Sequence, residues 1–112
     1  MSLTVVTSKA QFDTALSSAG EKPVFVDFMA DWCGNCELIC PTLEEKAAEL
    51  GDGAVFLKVD VDENEDIAEK YEVTSLPRVI VFKKGDKVGE MFGNKPEKYI
   101  EIINAHKWVK CR

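Results

Sequence analysis

The chain has 112 residues, 46% of them hydrophobic and 30% charged, with a formal charge of −6. Those figures fit one globular domain with a real core, residues 1–112, that needs no disulfide staples. The acidic balance argues against a nucleic-acid partner. Residues 1–20 lack an apolar leader core and no run reaches membrane-spanning length, so export and insertion are not expected. Of four cysteines, Cys33, Cys36 and Cys40 crowd together and cannot cross-link distant parts of the fold, which fits a reducing cytosol.

Leu3-Thr4-Val5-Val6 reads as a short strand. Ser8 follows as a helix N-cap, with Gln11 three residues on to complete a capping box. Phe12, Ala15, Leu16 and Ala19 form the apolar stripe of that helix, Gly20 ends it, and Glu21-Lys22-Pro23 turns into a second strand. That strand, Val24 to Ala30, is apolar apart from Asp27 and runs directly into Asp31-Trp32-Cys33-Gly34-Asn35-Cys36. Beyond it Ile39, Leu43, Ala47 and Leu50 fall at helical spacing, so Cys33 is delivered onto the first turn of a helix. Free backbone N–H groups and the positive end of the helix dipole favour a thiolate there, the nucleophilic form of cysteine. Cys36, one turn on, is placed to attack a mixed disulfide formed at Cys33. Gly51-Asp52-Gly53 is a stop before a third strand, Ala54 to Val61, and Asp62 to Tyr71 looks helical, with Ile67, Ala68 and Tyr71 inward.

The alternation then breaks. Arg78 to Phe82 and Lys87 to Phe92 are strands joined through Lys83-Lys84-Gly85-Asp86, a hairpin signal. A last helix starts near Pro96 and carries Tyr99, Ile100 and Ile103, reaching as far as Trp108. The order β-α-β-α-β-α-β-β-α predicts an α/β fold, a mixed five-stranded sheet with four helices on its two faces.

Asp27 and Lys58 each stand alone in an apolar strand run. Covered on both faces, such charges need a partner or an altered pKa, and lying side by side on neighbouring strands under the active-site helix is the simplest answer. A metal knuckle is the rival to redox chemistry. Cys33, Cys36 and Cys40 could supply three ligands, but a closed zinc site needs a fourth, and only His106 and Cys111 remain.

Over essentially its full length the chain resembles the thioredoxin family. The resemblance rests on Val26-Asp27-Phe28, on Ala30-Asp31-Trp32-Cys33-Gly34-x-Cys36, and on Pro41 five residues later. Lys58-Val59-Asp60, Ser75-Leu76-Pro77 and Gly93 extend it. It implies a protein-disulfide reductase in which Cys33 attacks a substrate disulfide and Cys36 resolves the mixed disulfide, leaving a Cys33–Cys36 bond. A thioredoxin-reductase-like donor would restore the dithiol, serving electron transport and cell redox homeostasis in the cytoplasm with no bound cofactor. The resemblance gives Asp27 a proton-transfer role toward Cys36, beside Lys58. It makes Leu76-Pro77 a cis-proline segment presenting backbone to an extended substrate, within a rim of Trp32, Gly34, Asn35, Leu76, Pro77 and Gly93. Pro41 should kink its helix and free a carbonyl near residue 37.

Four positions depart from the family pattern: Asn35 for proline, Met29 for tryptophan, Glu37 for lysine, and Arg78 for a small residue. Asn35 restores a backbone donor toward the Cys33 sulfur, which leaves open a more oxidising exchanger or an iron–sulfur carrier bridging two chains through Cys33. A scaffold indifferent to its cysteines is a further alternative. Cys40 reads as a small buried residue, with a third redox thiol as the other possibility. Cys111, next to the terminus, could link two copies of an otherwise monomeric protein. His106 reads as a solvated residue near a helix end.

Overall fold

A computed structural model describes residues 3–108; Cys111 and its expected intermolecular role lie outside them. The elements are β1 (Thr4–Val5), α1 (Lys9–Ser18), β2 (Val24–Met29), α2 (Gly34–Leu50), β3 (Val55–Asp60), α3 (Glu65–Lys70), β4 (Arg78–Lys83), β5 (Asp86–Phe92) and α4 (Pro96–Ala105). A short 3-10 turn at Gly51–Gly53 follows α2. The five strands lie in the order β1-β3-β2-β4-β5. The first three pair in parallel, as their helical crossovers require, and β4 and β5 add antiparallel. This is the mixed five-stranded sheet with four helices expected from the element order, and it agrees with the fold that the family resemblance implies.

Alternation along β2 divides the core. Val24, Val26 and Phe28 face α1 and α3 with Phe12, Leu16, Leu57, Val59, Ile67, Ile80 and Phe82. Phe25 faces the opposite way, toward α2 and α4, with Ile39, Leu43, Phe56, Val79, Val81, Tyr99 and Ile103. Asp27 shares the parity of Phe25, and Lys58 that of Phe56. Both charges therefore belong to the face under α2.

Several local expectations shift. Ser8 caps α1, its hydroxyl accepting from the Gln11 N–H at 3.1 Å. The Gln11 side chain, however, takes the Thr7 N–H at 2.7 Å and donates to the Val5 carbonyl at 3.0 Å, so the box closes one residue early and ties the helix to β1. The α3 helix is shorter than Asp62–Tyr71, because Asp60 to Asn64 is spent on turns: Asp62 N–H bonds the Asp60 carboxylate at 2.9 Å. Buried Asn64 donates from its amide to the carbonyls of Val6 and Asp60. The hairpin is tighter than expected. Lys83 pairs with Asp86 across Lys84-Gly85, both at positive φ (54° and 84°), which suits a two-residue turn. Helix α4 stops at Ala105, short of Trp108; α2 continues past Pro41 to Leu50. His106 is less solvated than expected. It is half-buried, its Nδ1 lies 2.9 Å from the Ile102 carbonyl, and its ring sits where a Cβ on Gly89 of β5 would collide at 2.9 Å.

Candidate active site

β2 occupies the centre of the sheet and its last residue, Met29, leads through Ala30 to the cysteines. Cys33 is the N-cap of α2, and its sulfur accepts the Cys36 N–H at 3.2 Å. The same N–H also bonds the Cys33 carbonyl at 3.2 Å, so this first-turn donor is shared between the backbone and the sulfur. Cys33 and Cys36 are joined as a disulfide across that turn, their Cα atoms 5.4 Å apart. Both are buried, at 7% and 8% exposure, while Trp32 beside them is 70% exposed. The indole is fixed by its N–H donating to Asp62 at 2.9 Å.

Below the disulfide lies a cavity of about 230 Å3 lined by Asp27, Met29, Ala30, Asp31, Cys36, Glu37, Cys40 and Lys58. Asp27 is opposite Lys58 in the β2–β3 register, the side-by-side placement expected. Among the described residues it accepts no hydrogen bond and has no cation within 4 Å. Burial therefore dominates and pushes its carboxyl up to about 7, the Lys58 charge offsetting only part of that rise. Of the two solutions open to a lone buried charge, the altered pKa prevails. Asp27 and Cys36 share one cavity, so water can carry a proton between them.

Cys40 lies one turn beyond Cys36 at the edge of this cavity. It is half-buried rather than enclosed, with its thiol 3.6 Å from Glu44. Burial first, then the Glu44 charge, raises its pKa, which keeps it a thiol. Among the described residues no group of three His, Cys, Asp or Glu side chains is arranged to hold a metal ion.

The Leu76–Pro77 peptide bond is cis. Phe28 of β2 pairs with Arg78, so Pro77 lies alongside the end of β2 that feeds the cysteines. Arg78 pairs in turn with Phe92, which puts Gly93, at φ 115°, beside Pro77. Trp32, Gly34, Asn35 and Gly93 are exposed, Leu76 is half-buried and Pro77 buried. The chain brings the expected rim residues to one end of the sheet.

Several contacts that hold the sheet and its helices together have no signal in the sequence. Asp62, the partner of Trp32, is 30 residues away in sequence and no spacing links them. Arg78 donates to the Ser75 hydroxyl at 2.8 Å, is ion-paired with Glu90, and lies over the Phe92 ring, 5.0 Å from its centre. Lys46, nearly buried, ties α2 to Asn104 of α4 at 2.8 Å.

The thioredoxin family model matches residues 3–105. The chain belongs to the thioredoxin family. It is 48% identical over 102 residues to a pig thioredoxin, covering 88% of this chain and 93% of that protein. It is 46% identical over 105 residues to Thioredoxin-T of Drosophila melanogaster, covering 93% of this chain but spanning 66% of that longer relative. Among solved structures, Fasciola hepatica thioredoxin superposes with a TM-score of 0.89 at 36% identity, covering 94% of this chain and all (100%) of the other. Thioredoxins are protein dithiol–disulfide oxidoreductases, and Cys33–Cys36 is the disulfide-capable pair of this one. Among the described residues no helix is long and apolar enough to cross a membrane.

Proposed function

We propose that this thioredoxin reduces disulfides of cytoplasmic proteins, acting as a single-domain monomer and passing electrons from a thioredoxin-reductase-like donor. The carrying observation is the Cys33–Cys36 disulfide at the N-terminal turn of α2, above a cavity shared by Cys36 and Asp27. In the reduced protein the Cys33 thiolate attacks one sulfur of the substrate disulfide and expels the other as a thiolate, which takes a proton from water. The Cys36 thiol gives its proton to the Asp27 carboxylate and attacks the Cys33 sulfur. The Cys33–Cys36 bond forms as the mixed disulfide breaks, and the second substrate sulfur leaves as a thiol. Two electrons pass from the dithiol to the substrate. A carboxyl that titrates near 7 can both take and return that proton at neutral pH. Lys58 beside it limits how far the carboxyl pKa rises. The rim of Trp32, Gly34, Asn35, Leu76, Pro77 and Gly93 receives an extended segment of the substrate.

The division of labour is tested with Cys36→Ser. This variant should accumulate a mixed disulfide through Cys33, visible by mass spectrometry as a stable adduct with a substrate protein. In the wild type, Cys33 should be alkylated first near neutral pH. Prior alkylation of Cys36 would reverse the assignment.

A further inference from the structure

In the sequence Tyr99 reads only as a core residue of the last helix, and its ring is indeed enclosed, at 0% exposure. Its polar end is the informative part. The hydroxyl oxygen stands 2.6 Å from the Gly93 carbonyl oxygen and 3.2 Å from that of Pro77. The Gly93 N–H also donates to the Pro77 carbonyl, at 3.4 Å. One phenolic proton thus has two acceptors, one just before β4 and one just after β5, at the open end of the paired hairpin. Both segments flank Arg78: Pro77 precedes it, and Gly93 follows its β5 partner Phe92.

A buried hydroxyl costs free energy unless it is hydrogen-bonded, and phenylalanine would fill the same space without that requirement. The oxygen is accounted for by what it holds together. Burial, with the Asp27 charge adding in the same direction, pushes the phenol up to about 12. It is therefore a protonated donor at any working pH. On the solvent side the same loop is held by Arg78, whose Nε and Nη2 donate to the Ser75 carbonyl at 3.3 Å and hydroxyl at 2.8 Å. The Leu76–Pro77 segment is gripped from outside by a strand residue and from inside by a helix residue.

We propose that Tyr99 is a positioning residue, its hydroxyl clamping the cis Leu76–Pro77 segment to Gly93 so that the two present one fixed edge to a disulfide-bearing polypeptide. This rests on the disulfide-reductase reading and the rim proposed above. The clamp acts on substrates that lie along that edge. A small disulfide reaches Cys33 without it.

The test is Tyr99→Phe, which removes one oxygen and keeps the ring. Two substrates are compared with dithiothreitol as electron source: insulin, and a small aromatic disulfide such as dithiobis(nitrobenzoate). The KM for insulin should rise about five-fold, roughly the worth of one hydrogen bond, while kcat and the small-disulfide rate move by less than about two-fold. Amide exchange at Gly93 should quicken, because its partner carbonyl is no longer held. Tyr99→Leu, which also removes ring volume, should lower the thermal midpoint further with no further change in KM. A lower midpoint in Tyr99→Phe with unchanged KM would make the hydroxyl purely structural. Equal slowing of both substrates would place its effect on the dithiol chemistry. Either result overturns the proposal. Failure of the wild type to reduce insulin would instead sink the reductase reading before any variant is compared.

Discussion

The two faces of the sheet are built from the same strands yet hold different chemistry. Toward α1 and α3, Val24, Val26, Phe28, Leu57, Val59, Ile80 and Phe82 meet Phe12, Leu16 and Ile67 in a wholly apolar cluster. Toward α2 and α4, the same strands turn in Asp27 and Lys58, and the helices add Lys46 and the Tyr99 hydroxyl. Both faces carry hydrophobic stabilisation. The second gives some of that up where the cysteines sit, since a buried ionisable group costs several kcal/mol but titrates at a useful pH.

Four changes break or sharpen this contrast. The largest effect is on activity: Cys33→Ser should abolish insulin reduction, by more than about 10^3-fold, while leaving the urea midpoint close to that of the reduced wild type. Next comes Ile67→Ala on the apolar face. It should cost about 2–5 kcal/mol in urea unfolding and leave the rate of disulfide reduction in the surviving folded protein unchanged.

Asp27→Asn should do the reverse, raising stability and slowing resolution of the mixed disulfide. The carboxyl is raised to about 7 in the folded protein, so folding favours its neutral form. Stability is therefore uncompromised below the ordinary aspartate pKa and is lost as pH climbs from about 4 to 7. The gain in Asp27→Asn should be on the order of 2–4 kcal/mol at pH 8 and fade toward pH 4. Equal stability of the two proteins at both pH values would mean that the carboxyl is not buried. The smallest effect belongs to Asn35→Pro. The bond to the Cys33 sulfur comes from the Cys36 N–H, which a proline at 35 leaves in place. The variant should become more reducing by less than about 30 mV against a glutathione series, under the worth of one such bond.

Much of this contrast was legible in the sequence. Strand and helix periods place the elements, and a lone Asp27 within Val24–Met29 announces a buried charge without any fold in hand. The cysteines announce themselves by standing where an apolar strand meets a helix start. What escaped were contacts between residues that only the closed fold brings together: Trp32 with Asp62, Lys46 with Asn104, and the Tyr99 hydroxyl with two carbonyls. Periodicity reports which side of a helix is inward, and Tyr99 satisfied it as any large apolar residue would. Nothing in a period says where a phenolic oxygen ends. His106 does cap the end of α4, and its partial burial has a related cause: the space it fills is made by the absent side chain of Gly89, on a strand met only after folding.

The central claim is that a carboxyl on the dithiol face, buried beside Cys36, is held ready to exchange a proton near neutral pH. It is tested most directly by a carbon-13 NMR titration of the Asp27 carboxyl in the disulfide form, repeated in Lys58→Met. The wild-type midpoint should fall at about 7, and removing the neighbouring cation should move it higher. A midpoint in the ordinary aspartate range, near 4, with no response to Lys58→Met, would contradict the account.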